Sequence, residues 1–330
     1  MRVNLSAVTA GLSASPFQIA ASPAEHSPHF THRSDRNWPE TNCYFDLWIE
    51  ILHCLGLDPV PTFASLLSAD HDGLQWDFIK PQPEDLRRLY GLEVAEDNVW
   101  LPVLEMVESG PRRGLLHTVE VDSWWLPDTT GTAYRNDHVK TTIVPTRVDR
   151  ANRTMWYLHN AGLFELRDDD FDGVFNLGDS ADGILPPYVE RIRLIPERAE
   201  PDALRRMVKE HLARRPSGNP VDRLIDGVQR AKQWLPSAGM DLFHPWAFAT
   251  LRQCGATAEL TADLSVHLDP LFGGAAEAEQ DFRDVAAAAK SVQFKMARVA
   301  SGRTVEITPA LEAMAASWQS GMDTVARAAG

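Results

Sequence analysis

The spacing of apolar positions changes along the chain, and this change predicts two regions of different architecture. Before residue 198, short segments rich in β-branched and aromatic residues predict strands at 115–121, 138–145, 154–158 and 192–195. After residue 201, Ala-rich segments carry apolar residues at three- and four-residue spacing, which is typical of helices. We therefore expect an α+β domain followed by an all-helical domain.

One helix is predicted near the beginning of the first region, at residues 43–55, where Gly56 ends it. Its polar residues Asp46, Glu50 and His53 form one narrow stripe, and nearly all other positions are apolar. A helix that is apolar on most sides is expected to be buried inside its domain.

Composition divides the chain further. Residues 1–36 are rich in Ala and Ser, and polar residues interrupt their apolar stretch, so we predict a flexible N-terminal arm rather than a secretory signal. The α+β domain is then expected at residues 37–198 and the helical domain at residues 199–330.

Charge and cysteine content exclude several classes of protein. The net charge of −14 argues against non-specific binding of nucleic acid, which needs a basic surface. No apolar run reaches the length of about 18 residues that a membrane span needs. Three scattered cysteines are too few for a disulfide framework. We therefore expect a cytoplasmic protein without nucleic-acid or membrane partners.

Cys43 is the first candidate for chemistry, because it lies where a polar loop becomes the apolar helix. The unpaired N–H groups and positive dipole end of a helix N-terminus favour a thiolate. A cysteine nucleophile also needs a base and a group that orients the base. His138 opens one predicted strand and Asn160 follows the next, so we predict that they supply these roles. The order Cys, His, Asn is that of papain-like enzymes.

Other residues are candidates for supporting roles near this site. Asn37 and Asn42 lie just upstream of the cysteine, where a side-chain amide could stabilise an oxyanion. Trp124, Trp125 and His159 are candidates for substrate contacts or packing. Cys43 itself has a second interpretation as a small core residue, because free cysteines are often buried. Neither a metal nor a cofactor bound by this chain is predicted.

Several of these motifs resemble known families. Asp122-Ser123-Trp124-Trp125, Asp137-His138-Val139 and His159-Asn160-Ala161-Gly162 resemble the second half of papain-like domains in two bacterial groups. These are the peptidases that remove double-glycine leaders and the butirosin-biosynthesis acyltransferases. Both groups carry Asp-Pro where this chain has His159-Asn160. The match covers roughly residues 37–175.

The whole chain resembles an uncharacterised bacterial family, a domain of unknown function, with the signature Glu40-Thr41-Asn42-Cys43-Tyr44. This resemblance implies an association with amino acid:carrier-protein ligases. It therefore implies an acyl or aminoacyl carrier protein as partner, with the 4'-phosphopantetheine group carried by that partner.

Two charged segments have competing interpretations. The acids at 168–179 have the spacing of an EF-hand loop, but no flanking helices are predicted, so we expect no calcium site there. Basic residues dominate the segment 203–232, which is either a solvated helix face or a docking surface for an acidic carrier protein. Arg205, Arg206 and Arg215 are the candidates for docking.

The resulting hypothesis is a papain-like cysteine acyltransferase that moves an acyl or aminoacyl group from a carrier-protein thioester to an amine. A peptidase or amidase, with water as acceptor, is one alternative. A non-catalytic module that binds a carrier protein is another.

Overall fold

The computed structural model describes Phe17, Ile19, residues 21–177 and residues 185–330. The chain forms two compact units. One contains residues from 1–29, 43–58 and 86–200, and the other contains residues from 30–42, 59–85 and 201–330. The first holds an antiparallel sheet with helices and the second is helical in its C-terminal part, so the predicted α+β class is confirmed.

The sheet has six strands, and every neighbouring pair is antiparallel. Their order is β1-β6-β2-β3-β4-β5. The strands are β1 Leu92–Glu96, β2 Leu115–Asp122, β3 Lys140–Asp149, β4 Thr154–His159, β5 Gly162–Arg167 and β6 Val189–Leu194.

The two strands that the sequence pattern did not predict, β1 and β5, are the two edges of this sheet. An edge strand pairs on one side only and tolerates charged residues, so its apolar signal is weak. Glu93 in β1 and Glu165 in β5 show this composition. The strand predicted from residue 138 begins instead at Lys140, two residues later.

Both faces of the sheet are buried by helices of the first unit, which are α1 Cys43–Cys54, α3 Val103–Ser109 and α4 Asp168–Val174. On one face, Leu47 and Trp48 of α1 join an apolar cluster with Val144 and Leu158. On the opposite face, a second cluster contains residues of α3, α4 and the strands. The buried position predicted for α1 is thus confirmed.

Most helices of the second unit come from the end of the chain. Helix α2 Pro83–Tyr90 comes earlier in sequence, with residues 83–85 in the second unit and residues 86–90 in the first. The later helices are α5 Ala203–Arg214, α6 Pro220–Ala247, α7 Gln253–Phe272, α8 Glu279–Ala300 and α9 Thr308–Ala329. Helix α6 is interrupted at Gly239, whose φ is 73°. Among the described residues, no helix is long and apolar enough to cross a membrane.

Residues 30–42 and 59–85 belong to the second unit, although both precede the sheet in sequence. The backbone N–H groups of Asn37 and Trp38 donate to the Glu259 carboxylate in α7, at 3.0 and 2.6 Å. The predicted arm covers residues 1–36. Up to residue 20, most of it lies outside the described residues. From residue 21 it makes defined contacts, such as His26 with Glu50 and Arg36 with Asp263.

Burial of His117 on β2 makes the stability of the protein sensitive to mild acid. The side chain is 2% exposed, and burial together with Arg113 lowers its pKa to about 4 from 6.5. The unfolded chain therefore binds a proton that the folded chain rejects between pH 6.5 and pH 4. As the pH falls through this window, the free energy of unfolding is expected to drop by up to about 1.4 kcal/mol per pH unit.

The measurement is urea unfolding at several pH values between 7 and 5. His117→Asn should flatten the dependence on pH, whereas His244→Asn, at an exposed position in α6, should leave it unchanged. Equal slopes for wild type and His117→Asn would contradict the assignment.

Candidate active site

Cys43 is the first residue of α1, as the sequence predicted, and its side chain is partly exposed. Tyr44, the next residue, connects the first turn of the helix to the sheet by a hydrogen bond. The Tyr44 hydroxyl donates to Glu190 of β6 at 2.7 Å, and the Thr118 hydroxyl of β2 donates to the same carboxylate oxygen at 2.9 Å. The position of the cysteine relative to the strands is therefore set by buried hydrogen bonds.

The Thr141 side chain and the Thr142 backbone, both at the start of β3, are close enough to the Cys43 thiol to lower its pKa by hydrogen bonding. Burial raises the pKa of this thiol, and these hydrogen bonds and the Lys140 charge offset only part of the effect. The direction is opposite to the one that the helix-start position predicted, because loss of solvent outweighs the N-terminal helix charge. Cys43 is thus a thiol at neutral pH and needs a base to become a nucleophile.

Thr141 belongs to a buried chain of hydrogen bonds that ends in a carboxylate. Its hydroxyl lies 2.7 Å from Nε2 of His159, and Nδ1 of His159 lies 2.6 Å from Oδ2 of Asp128. The His159 side chain is 1% exposed and that of Asp128 is 5% exposed. The Tyr157 hydroxyl also donates to Asp128. Cys43, Thr141, His159 and Asp128 therefore form one continuous array.

The proton positions follow for a neutral His159, whose ring holds a single proton. A carboxylate only accepts, so Nδ1 of His159 carries the proton and Nε2 is an acceptor. The Thr141 hydroxyl must then donate its single proton to Nε2. Its remaining lone pairs are then available to take the Cys43 proton when the thiol ionises. A proton can pass from Cys43 through Thr141 to His159, with Asp128 stabilising the imidazolium that forms.

The predicted base, His138, lies in a different environment. Its side chain is 70% exposed; Nδ1 lies 2.6 Å from Oδ2 of Asp122, and the ring stacks on Trp124 with centroids 4.6 Å apart. Within the described ranges, no hydrogen bond joins His138 to Cys43 or to Asn160. His138 therefore lies outside the array that contains Thr141 and His159.

Asn160, the predicted orienting group, occupies the tight turn between β4 and β5, and its φ is 45°. Asn is one of the few residues that adopt this left-handed conformation readily, which explains its presence there. His159, one residue earlier, faces the same side of the sheet as Thr141, because alternate strand residues share a face. Its side chain is 1% exposed, so of the two roles considered for it, substrate contact or packing, burial favours packing.

Asp128 and Thr141 were not identified from the sequence. Thr141, Tyr157 and His159 are all polar residues on one side of adjacent strands, and this alternation is the signal that would have indicated Thr141. Asp128 lies in a short 3-10 turn, Pro127–Thr129, so no periodic pattern points to it.

The oxyanion candidates both belong to the second unit. Nδ2 of Asn42 donates to Ile79 O at 3.0 Å and to Gln253 Oε1 at 3.1 Å, which uses both of its N–H groups. Asn37 is held through its backbone N–H by Glu259. The Cys43 N–H remains a candidate donor, because a helix makes no use of its first N–H groups.

A cavity of about 830 Å³ is lined by residues of β2, β3 and α4, and its described lining includes none of the four array residues. Val121 lines it and is the register partner of Thr141 on the neighbouring strand. Its wall is apolar at Trp125 and Phe175 and charged at residues that include Asp122, Arg135, His138 and Lys140. Trp125 is fixed there, since Arg135 stacks on its ring at 4.4 Å. The cavity has the size and mixed lining of a small-molecule site.

The docking candidates are exposed arginines of the second unit that also make local contacts. Arg205 donates to Leu271 O at 2.8 Å, Arg206 to Pro201 O at 2.9 Å, and Arg215 lies 3.8 Å from Asp323.

The segment with EF-hand spacing forms α4 over Asp168–Val174 instead of an open loop. Two of its acids pair with arginines, Asp170 with Arg135 and Asp172 with Arg153. Asp179 lies outside the described residues.

Comparisons with known proteins place both parts of the chain in one family. Residues 27–194 match the DUF1839 N-terminal domain, and residues 197–327 match the DUF1839 C-terminal domain. No curated protein matches the sequence. Because the two matches together cover most of the chain, the protein belongs to the DUF1839 family.

Proposed function

We propose that the protein is a cysteine-dependent acyltransferase of papain-like arrangement, with Cys43 as the nucleophile. The observation that carries the proposal is the continuous array from Cys43 through Thr141 and His159 to Asp128. It supplies a nucleophile, a base and an orienting carboxylate in buried contact, which are the parts that covalent acyl transfer requires.

In the first step, His159 takes the Thr141 proton while Thr141 takes the proton of Cys43. The sulfur attacks the carbonyl carbon of a thioester, and the carbon–sulfur bond to the donor then breaks. The departing thiolate recovers the proton from His159 through Thr141. The products are a Cys43 thioester and the free thiol of the donor.

In the second step, an amine attacks the Cys43 thioester and gives its proton to the same relay. The bond to Cys43 breaks, the amide leaves, and the relay returns a proton to the thiolate. Asp128 remains ionised throughout and stabilises the imidazolium. With water in place of the amine, the same residues would release a free acid, which is the hydrolase alternative.

We propose a carrier-protein phosphopantetheine thioester as the donor. The resemblance of the motifs to acyltransferases supports this choice, as does the cavity, whose apolar and charged walls suit a short acyl or aminoacyl chain. The exposed Arg205, Arg206 and Arg215 offer positive charge to an acidic carrier, since complementary charges accelerate association. An amino acid:carrier-protein ligase would load such a donor.

The test is intact-mass measurement after incubation with aminoacylated carrier protein and, separately, with an aminoacyl pantetheine thioester. We expect the wild-type chain to gain the mass of one acyl group and Cys43→Ala to gain none. Cys254→Ala, which changes a fully buried thiol, is the matched control and should be acylated like the wild type. Equal mass gain in Cys43→Ala would remove the proposal.

The same samples separate the alternatives. Amide formation with an added amine indicates transfer, whereas free acid alone indicates a hydrolase. Binding of the carrier without any mass gain would indicate the non-catalytic module.

A further inference from the structure

A second group of reactive side chains lies at the opposite end of α1 from Cys43. Glu50 and Cys54 are four residues apart on the helix and therefore share one face. His26 reaches them from the segment that precedes the helix in sequence. Nε2 of His26 lies 2.9 Å from Oε2 of Glu50, and Nδ1 of His26 lies 3.8 Å from Sγ of Cys54.

These three residues are largely withdrawn from solvent. Glu50 is 0% exposed and the His26 side chain is 6% exposed. Nε2 of His26 is buried and makes no hydrogen bond of normal geometry, even though it lies close to the carboxylate. Nε2 faces the carboxylate and Nδ1 faces the thiol, and a buried imidazole nitrogen without a well-formed hydrogen bond is a costly arrangement unless a further group satisfies it.

From this geometry we propose that His26, Glu50 and Cys54 bind a zinc-class divalent cation. One donor atom from each of the three residues lies within 4.8 Å of the other two. Tetrahedral zinc, with bond lengths of about 2.0–2.3 Å, holds its donor atoms about 3.3–3.8 Å apart, so a cation bound through one ring nitrogen of His26 requires that ring to turn and the other two side chains to approach it. Imidazole, carboxylate and thiolate are the three ligand types that zinc accepts.

The surroundings of the cluster provide access and an orienting contact. Cys54 is partly exposed and His53 beside it is exposed, so a cation has a path from solvent. The backbone N–H of His29 donates to Oε1 of Glu50 at 2.8 Å, which leaves Oε2 directed at the cluster and orients the carboxylate as outer hydrogen bonds do in metal sites. Water would complete the coordination.

The consequence is structural and independent of the acyl-transfer proposal. Cys54 is eleven residues from Cys43, roughly 16 Å along a helix that rises about 1.5 Å per residue. A cation at Cys54 would tie residue 26 to the end of α1 and stabilise the folded state of this segment by mass action.

The experiment loads the metal-stripped full-length chain with Co²⁺ and, in parallel, with Zn²⁺ in competition with a chromophoric chelator. We expect one equivalent of cation per chain and a thiolate-to-cobalt charge-transfer band. Cys54→Ser should abolish the band and weaken zinc binding ten-fold or more. Cys43→Ser and Cys254→Ser should retain both, since neither thiol lies in the cluster.

His26→Gln tests the imidazole and should weaken zinc binding by a similar factor. Circular dichroism of each metal-free variant, compared with metal-free wild type, shows that the fold is intact before binding is scored. Failure of the wild type to take up one equivalent, or a charge-transfer band that survives in Cys54→Ser, would overturn the proposal.

Discussion

Replacement of His159 by Gln is expected to slow acylation of Cys43 by about 10²- to 10⁴-fold, the usual contribution of a positioned base. In the proposed relay His159 accepts the thiol proton through Thr141, whose hydroxyl lies 2.7 Å from Nε2, and Nδ1 of His159 lies 2.6 Å from Asp128. Because burial raises the pKa of Cys43, little thiolate exists at neutral pH without this base. The measurement is the rate of acyl-enzyme formation under single-turnover conditions.

His138→Gln is the matched control, because it removes an exposed imidazole that the sequence alone favoured as the base. Because His138 also lines the cavity proposed for the acyl chain, the two variants are compared at saturating donor, where we expect His138→Gln to remain within a few-fold of wild type. If His138→Gln is the slower variant and His159→Gln is unaffected, the relay assignment is wrong and the predicted Cys43–His138 pair gains support.

The intermediate position of Thr141 is tested by two further variants of the same residue. Thr141→Ser keeps the hydroxyl and should retain most of the rate, whereas Thr141→Val keeps the shape and removes the relay. A slow Thr141→Val protein with normal unfolding behaviour would establish that the hydroxyl transfers a proton. Equal rates for both variants would show that sulfur and imidazole meet directly.

Gly255→Ala in α7 is expected to destabilise the second unit by about 1–3 kcal/mol, the usual cost of overpacking a core. A Cβ at this position would lie 2.3 Å from Nε1 of Trp38. Trp38 cannot yield easily, because it is 3% exposed, its Nε1 donates to Ala286 O at 3.0 Å, and Lys290 lies 4.2 Å above its ring. The free energy of unfolding from denaturant titration measures the effect.

Gly227→Ala in α6 is the control, since its Cβ would come no closer than 3.4 Å to the His71 ring. Alanine favours a helix over glycine by about 1 kcal/mol, so this variant should be neutral or more stable. In a Trp38→Leu background, the cost of Gly255→Ala should shrink. A Gly255→Ala protein as stable as Gly227→Ala would contradict the close packing of Trp38 on α7.

Local pattern was sufficient for much of the fold. The helix at Cys43, the central strands and the succession of C-terminal helices follow from apolar spacing and from glycine and proline positions. The edge strands β1 and β5 were missed, because strands with one partner need fewer apolar residues. The grouping of residues 30–42 and 59–85 with the C-terminal helices was also missed, because contacts such as Trp38 with α7 join distant parts of the chain.

The candidate site was predicted in part. Cys43 lies at the helix start as expected, and His159 was noted, but the base and orienting group were assigned to His138 and Asn160. Neighbouring residues of a strand have side chains on opposite faces of the sheet. A prediction that is one residue away in sequence can therefore select a side chain on the wrong face.

The sequence by itself determined the α+β class, the position of Cys43 at the beginning of a buried helix, and membership of the family to which both domains belong. Only the tertiary structure decided the state of that cysteine and its partners. Burial, which depends on the whole fold, raises the thiol pKa against the effect of the helix start. Strand register places Thr141 and His159 on the same face of the sheet, and a single turn places Asp128 beside the His159 ring. Local periodicity predicts neither the register nor the turn.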